Sequence, residues 1–184
     1  MCWNVLSGSK TWAKGGRILF LTNRKINMDD SFNPYTYICN FASNYDGDSV
    51  TLDIDLGLKM WKMGEKCRLY GLDTPELRGK NKAFGELVRD ELESLIKGRV
   101  KDGWEIYCET SLDKDGMYGR LLVTLHLVKD RGLRIMQAMN VNEWLIDQNY
   151  AVKYDGGSKR GIAEKHLENW ALVSKKEETR HMKV

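Results

Sequence analysis

Apolar side chains recur at every second position through Val50, Leu52, Ile54 and Leu56, and again through Leu121, Val123, Leu125 and Leu127. Period two turns one face of a strand into a core and the other toward water, so these segments do not suit helices. Three further segments read as strands: Tyr35 to Phe41, Leu69 to Leu72 with Arg68 before it, and the alternating Trp104, Ile106 and Cys108. One stretch inside this series breaks the period. From Lys82 to Lys97, Ala83, Leu87, Val88, Leu92, Leu95 and Ile96 share a helical face opposite Glu86, Arg89, Asp90 and Glu93, and Gly98 is a fitting stop. Asn140 to Gln148 and Lys159 to Lys175 read as two later helices.

Five short strands with one helix among them and two after them predict an α+β domain, a five-stranded OB-type β-barrel with three helices. The Asp46-Gly47 pair marks a tight reversal before the second strand. Gly57 through Gly64 reads as a hairpin connection longer than the minimum. The chain divides into an N-terminal extension over 1–34 of unassigned role, a domain over 35–175 and a tail over 176–184.

Composition narrows the class without deciding it. A chain of 184 residues with 42% hydrophobic and 30% charged residues can bury a core as an ordinary globular domain. No apolar run approaches the roughly 18 residues of a membrane span. The net charge of +3 is too small to establish a nucleic-acid partner, which depends on local clustering of Lys and Arg. Cys2, Cys39, Cys67 and Cys108 lack Cys-x-x-Cys spacing, so zinc is not indicated and reduced, mostly buried thiols are expected. The first 27 residues hold Lys10, Lys14, Arg17, Arg24 and Lys25 and no acid. Their apolar part, Ile18 to Leu21, is too short for a secretory signal, so a cytoplasmic protein is expected. A transit peptide, a basic arm for nucleic acid and a strand added to the domain edge stay open as readings of this segment.

The stretch Cys67-Arg68-Leu69-Tyr70-Gly71-Leu72-Asp73-Thr74-Pro75-Glu76 carries the chemistry. Pro75 disfavours the α conformation at Thr74, so the strand is expected to stop and turn there. That turn brings Asp73 and Glu76 together at a strand end. Carboxylates held close repel one another unless a cation or a shared proton relieves them. A hard divalent ion, which takes carboxylate and carbonyl oxygens, is the natural partner. Singly, each piece has an ordinary explanation: Asp46-Gly47-Asp48 as a turn, Asp73 as a strand-end cap, Arg68 as a surface partner of Glu65.

Their order is far more specific than any one of them. Asp46-Gly47-Asp48-Ser49-Val50, then Arg68 through Glu76, then Tyr118-Gly119-Arg120, then Val141-Asn142-Glu143-Trp144-Leu145 follow one another as in the staphylococcal (micrococcal) nuclease homologues. The chain resembles that family from about Tyr35 to about Trp170. The resemblance implies a Ca2+-dependent phosphodiesterase acting on DNA and RNA, which breaks the phosphorus–5′-oxygen bond and leaves 3′-phosphate ends. It implies Asp48 and Asp73 as metal carboxylates, with the backbone carbonyl of Thr74 completing the site and Asp46 supporting it without being a principal ligand. It implies Glu76 as the carboxylate that activates or positions water, and Arg68 and Arg120 as the two grips on the scissile phosphate. Mn2+ and Mg2+ also take oxygen ligands and stay open as alternatives to Ca2+.

Physical reasoning runs the same way. A phosphodiester repels an incoming hydroxide, and guanidinium groups offer it paired N–H donors that lysine cannot match. Replacing Arg68 or Arg120 is therefore expected to cost rate rather than fold. Tyr118, Tyr154, Lys114 and Lys153 are candidate substrate contacts, the tyrosines by stacking on a base or, equally, by packing at the barrel rim. Lys153 to Arg160 reads either as a phosphate-tracking loop or as a solvated connection. No His-x-His or His-Asn-His arrangement is present, so no catalytic role is expected for His126, His166 or His181.

The hairpin between Asp48 and Arg68 is longer than in the family's secreted type enzyme, which leaves substrate preference open. The expected partners are DNA or RNA substrate and an inhibitor or other restraint on a nuclease kept inside a cell, with a monomeric chain and no membrane. A non-catalytic OB-fold nucleic-acid-binding module is the alternative reading. Such a module would be expected to lack an arginine or a metal carboxylate, whereas this chain carries them all. A protein-interaction scaffold acting through the basic N-terminal segment is a third.

Overall fold

The structure is a computed structural model and describes residues 33–111, 120–130, 136–157 and 161–181. Val50, Leu52 and Ile54 are buried, and Thr51, Asp53 and Asp55 between them stay partly exposed, so the alternation in the sequence is the pleat of strand β2 (Ser49–Gly57). Strand β1 (Thr36–Asn44) lies between β2 and β5 (Glu105–Ser111), and β3 (Met60–Leu69) follows β2 by a hairpin. Strand β6 (Leu121–Asp130) pairs antiparallel with β5. Closure comes from a parallel pairing of β3 with β6, Cys67 opposite Leu121, Arg68 opposite Leu122 and Leu69 opposite Val123. The five strands thus form a closed barrel, and with three helices the fold is the α+β OB-type barrel read from the sequence. Strand β7 (Met136–Asn140) is added outside β6.

Helix α1 (Lys82–Lys101) buries Phe84, Val88, Leu92 and Ile96, a stripe of four-residue spacing that joins the barrel core. At roughly 1.5–3 kcal/mol for each fully buried large side chain, this stripe outweighs any intrinsic helix propensity. The core also takes Cys39, Cys67 and Cys108, all free thiols, as expected for reduced cysteines; Cys2 lies outside the described residues. Helix α2 (Val141–Asp147) starts at Asn140, whose side chain accepts hydrogen bonds from the backbone N–H groups of Asn142 and Glu143. Helix α3 (Ile162–His181) packs Trp170 against Phe84 with ring centroids 5.0 Å apart, and it continues past Lys175.

Asn142 explains why the Val-Asn-Glu-Trp-Leu segment belongs with the site. Its buried amide accepts from Leu125 N–H at 3.0 Å and donates to the carbonyls of Tyr70 at 2.9 Å and Val123 at 3.1 Å. One side chain thereby ties α2 to β6 and to the turn that leads toward Asp73.

Two sequence expectations need revision. The connection over 57–64 is a two-residue turn, with Leu58 and Lys59 at φ of 53° and 65°, and β3 begins at Met60. Residues Leu56 to Gly64 are all exposed, so this end of the hairpin has no core face to impose an alternating pattern. Second, the apolar run Leu69–Leu72 is not one strand. Gly71, at φ 78°, turns the chain, and Leu72–Asp73 forms a separate strand β4 that pairs with β8 (Val152–Lys153).

Candidate active site

Two turns deliver the carboxylates. In the first, Asp46 accepts hydrogen bonds from the backbone N–H groups of Asp48 at 3.1 Å and Ser49 at 2.7 Å. The Asp46 carboxylate therefore shapes the turn that aims Asp48, a supporting part. Gly47 has to be glycine for packing: a Cβ there would come within 2.6 Å of Val88 and 2.9 Å of Thr74. In the second turn, pairing of β4 with β8 places Asp73 opposite Val152, and the strand ends at Asp73, with Thr74 and Pro75 outside it.

The two segments meet at one guanidinium. Nη2 of Arg68 lies 2.9 Å from Oδ2 of Asp48 and 3.2 Å from Oδ1 of Asp73. Thr74 N–H also donates to Oδ2 of Asp48 at 3.3 Å, and Ser49 Oγ donates to Oδ1 at 3.2 Å. Asp48 is 3% exposed, Asp73 5% and Thr74 5%, so this is a buried cluster rather than a surface ion pair. Burial pushes the Asp48 carboxyl up to about 7, with Arg68 pulling the other way and Asp46 and Asp73 adding to the rise. Carboxylates in this setting stay ionised at neutral pH only with positive charge beside them.

Hard oxygen donors of this kind suit a divalent cation held by carboxylates and main-chain or substrate oxygens. Among the described residues no group of three or more His, Cys, Asp or Glu side chains forms a metal cage, so such a cation would depend on oxygens beyond the two carboxylates. Glu76, one residue after Pro75, is exposed, and its carboxylate has no partner among the described residues. Its backbone is held from behind. A Cβ on Gly85 of α1 would lie 2.7 Å from the Pro75 carbonyl oxygen and 2.8 Å from that of Glu76, so only a glycine lets the helix approach this closely.

The remaining candidates distribute unevenly. Arg120 is partly exposed and immediately precedes Leu121, whose register opposite Cys67 sets its backbone beside the end of β3 that carries Arg68. Lys153 pairs with Leu72 across β4 and β8, and Tyr154 donates its N–H to the Gly71 carbonyl at 3.0 Å. The Tyr154 hydroxyl donates to the Gly157 carbonyl at 2.7 Å. Tyr70, Gly71, Asn142, Glu143, Lys153 and Tyr154 line part of an open cleft of about 460 Å3, which Asp48, Arg68 and Asp73 do not line. Tyr118 and Lys114 lie outside the described residues.

With this geometry in view, the family comparison is decisive. The model of the family described as staphylococcal nuclease homologue matches residues 66–180, more than half of the chain. The chain belongs to the staphylococcal nuclease homologues. The matched span opens two residues before Arg68 and contains Asp73, Thr74, Glu76 and Arg120; Asp46 and Asp48 precede it, Asp48 joining the site through Arg68 and Thr74 and Asp46 shaping the turn that carries Asp48. No curated protein matches the chain.

Sequence reasoning passed over one residue of the cluster. His166 of α3 is 4% exposed and places Nε2 at 3.1 Å from Oδ2 of Asp73. Its separation from Asp73 by 93 positions leaves no local pattern to announce the contact. The one available signal is a polar residue on the inward stripe that also carries Ile162, Trp170 and Val173.

Proposed function

We propose that this homologue is a Ca2+-dependent nuclease that hydrolyses phosphodiester bonds of DNA and/or RNA and leaves 3′-phosphate ends. The observation that carries the reading is the convergence of buried Asp48 and Asp73 on one arginine, with Glu76, exposed and without a partner among the described residues, three positions after Asp73. A site that existed only for stability would not need this arrangement, since an apolar cluster of similar volume is commonly as stable as a buried ion pair.

In this reading Asp48, Asp73 and the Thr74 carbonyl hold the ion, which when bound supplies positive charge to a phosphate oxygen. Arg68 and Arg120 donate N–H bonds to the phosphate and offset the charge that builds on its oxygens as the attacking water adds. Glu76 takes a proton from that water as its oxygen bonds to phosphorus. The phosphorus–5′-oxygen bond breaks, and the departing 5′-oxygen takes a proton from solvent. In the same reading Lys153 and Tyr154 contact the strand next to the scissile bond.

The test is cleavage of plasmid, single-stranded DNA and RNA with Ca2+, with a chelator, and with the Glu76→Gln variant. Positioned general bases contribute about 10²–10⁴-fold, and the variant should lose rate on that order while keeping its fold. Tight binding of these nucleic acids without cleavage under any divalent ion would replace the nuclease by the non-catalytic binding module.

A further inference from the structure

His166 is a buried polar side chain in a position where the helix it belongs to buries apolar ones. Ile162, His166 and Val173 are buried and Trp170 is partly so, at spacings of three and four residues, which makes them one inward face of α3. An imidazole on such a face costs free energy unless its nitrogens are satisfied. Only one of them is. Nε2 meets Oδ2 of Asp73 at 3.1 Å, whereas Nδ1 is buried and has no hydrogen-bond partner among the described residues. A histidine serving packing alone is a poor choice here, because an aromatic hydrocarbon ring of like size would fill the site without stranding a nitrogen.

The bond has a direction. A carboxylate accepts only, so Nε2 carries the proton and donates it to Asp73. Asp73 is then gripped on both oxygens, by His166 on Oδ2 and by Arg68 on Oδ1. Arg68 is shared with Asp48 and in the proposed reaction also donates to a phosphate, whereas His166 has no second partner among the described residues. Its neighbours fix it in turn: α3 is docked through Trp170 on Phe84 and through the Asn169 amide, which donates to the Ala151 carbonyl at 3.4 Å.

We propose that His166 is the positioning residue of the metal centre. It anchors Oδ2 of Asp73 from helix α3 and so fixes the direction in which the carboxylate, whose Oδ1 Arg68 also contacts, faces the cation. The proposal rests on the reading of Asp73 as a metal ligand. Carboxylate ligands are generally oriented by hydrogen bonds of this kind, and loss of such a partner typically costs about 10–100-fold in metal affinity or activity. The inference also ties the C-terminal helix to the chemistry: docking of α3 becomes part of forming the cation site.

The experiment is calorimetric titration of the full chain with Ca2+, comparing wild type, Asp73→Asn, His166→Phe and His166→Gln, each checked for a cooperative thermal melt. His166→Phe fills the space and removes the donor. Gln restores an amide N–H near the position of Nε2. The expected result is Ca2+ binding by wild type, its loss in Asp73→Asn, about 10–100-fold weaker binding in His166→Phe, and recovery of most of that loss in His166→Gln. Wild-type affinity in a folded His166→Phe protein overturns the proposal and leaves the metal reading standing. Should that variant not fold, a folded His166→Gln with affinity reduced as far as in Asp73→Asn overturns it equally. Absence of Ca2+ binding by wild type removes the metal reading itself, and the positioning role with it.

Discussion

At the scale of single residues, Arg68 is asked to do two things. It is the cation that neutralises two buried carboxylates, and in the proposed reaction it is a donor to phosphate. From sequence alone it reads as a purely catalytic arginine whose loss spares the fold. The distances of 2.9 and 3.2 Å to Asp48 and Asp73 give it structural weight as well. Removing one partner of a buried pair leaves uncompensated charge and costs about 3–5 kcal/mol when both partners are fully buried. The Arg68 side chain is 24% exposed, so about 2 kcal/mol is a fairer expectation at neutral pH. Arg68→Met should therefore unfold at lower urea than wild type, and added Ca2+ should recover part of the difference by supplying charge to the same carboxylates. Urea titrations with Ca2+ and with chelator decide it: equal midpoints for the two proteins under chelator would show that the carboxylates do not depend on this arginine.

Among the elements, those with a buried face were legible and those without one were not. Strands β2 and β6 and helix α1 follow from their periodicity because one side of each meets the core. The end of the β2–β3 hairpin does not, because both of its faces meet water and nothing enforces alternation. The pair β4 and β8 is too short, at two residues each, to carry a period at all, although it positions Asp73. The contact of His166 with Asp73 was out of reach for another reason, since it depends on how α3 docks rather than on any local run. Helix α1 reaches the site through Gly85, whose Cα faces the Pro75 and Glu76 carbonyls. Gly85→Ala would force a methyl to within 2.7 Å of backbone that cannot rotate away. Overpacking of this type costs about 1–3 kcal/mol, and here it should also displace the segment that carries Glu76. A drop in cleavage rate beyond that caused by partial unfolding, measured well below the midpoint temperature, is the expected result; a variant with wild-type stability and rate would mean that α1 moves freely against the site.

For the molecule as a whole, the partly buried histidine on β6 sets a dependence of stability on pH that is separate from the proposed metal site. His126 lies beside Glu109, with Nε2 at 3.4 Å from a carboxylate oxygen, and its Cα pairs with Tyr107 on one side and Asn140 on the other. Burial pushes its pKa below the ordinary 6.5, while Glu109 and, at longer range, Glu143 oppose that shift without cancelling it. Off the apolar stripe of Val123, Leu125 and Leu127, the position faces outward by strand alternation alone. In the fold it is flanked by β5 and β7, and its side chain is 16% exposed. The sign follows from proton counting. As pH falls through 6.5 the unfolded chain takes up a proton on this imidazole that the folded protein resists, so the unfolded state is favoured. Stability contributed by neutral His126 is present above that pH and is lost below it, toward the depressed value. The His126→Gln variant keeps a polar group of similar reach but has nothing to titrate, so its unfolding free energy should fall less than that of wild type between about pH 8 and about pH 5.5. Urea melts of both proteins at those two pH values, with chelator present throughout, isolate the effect from cation binding. Parallel losses in the two proteins would mean that the imidazole is as easily protonated in the barrel as in the unfolded chain, and that carboxylates elsewhere set the acid limit of the fold.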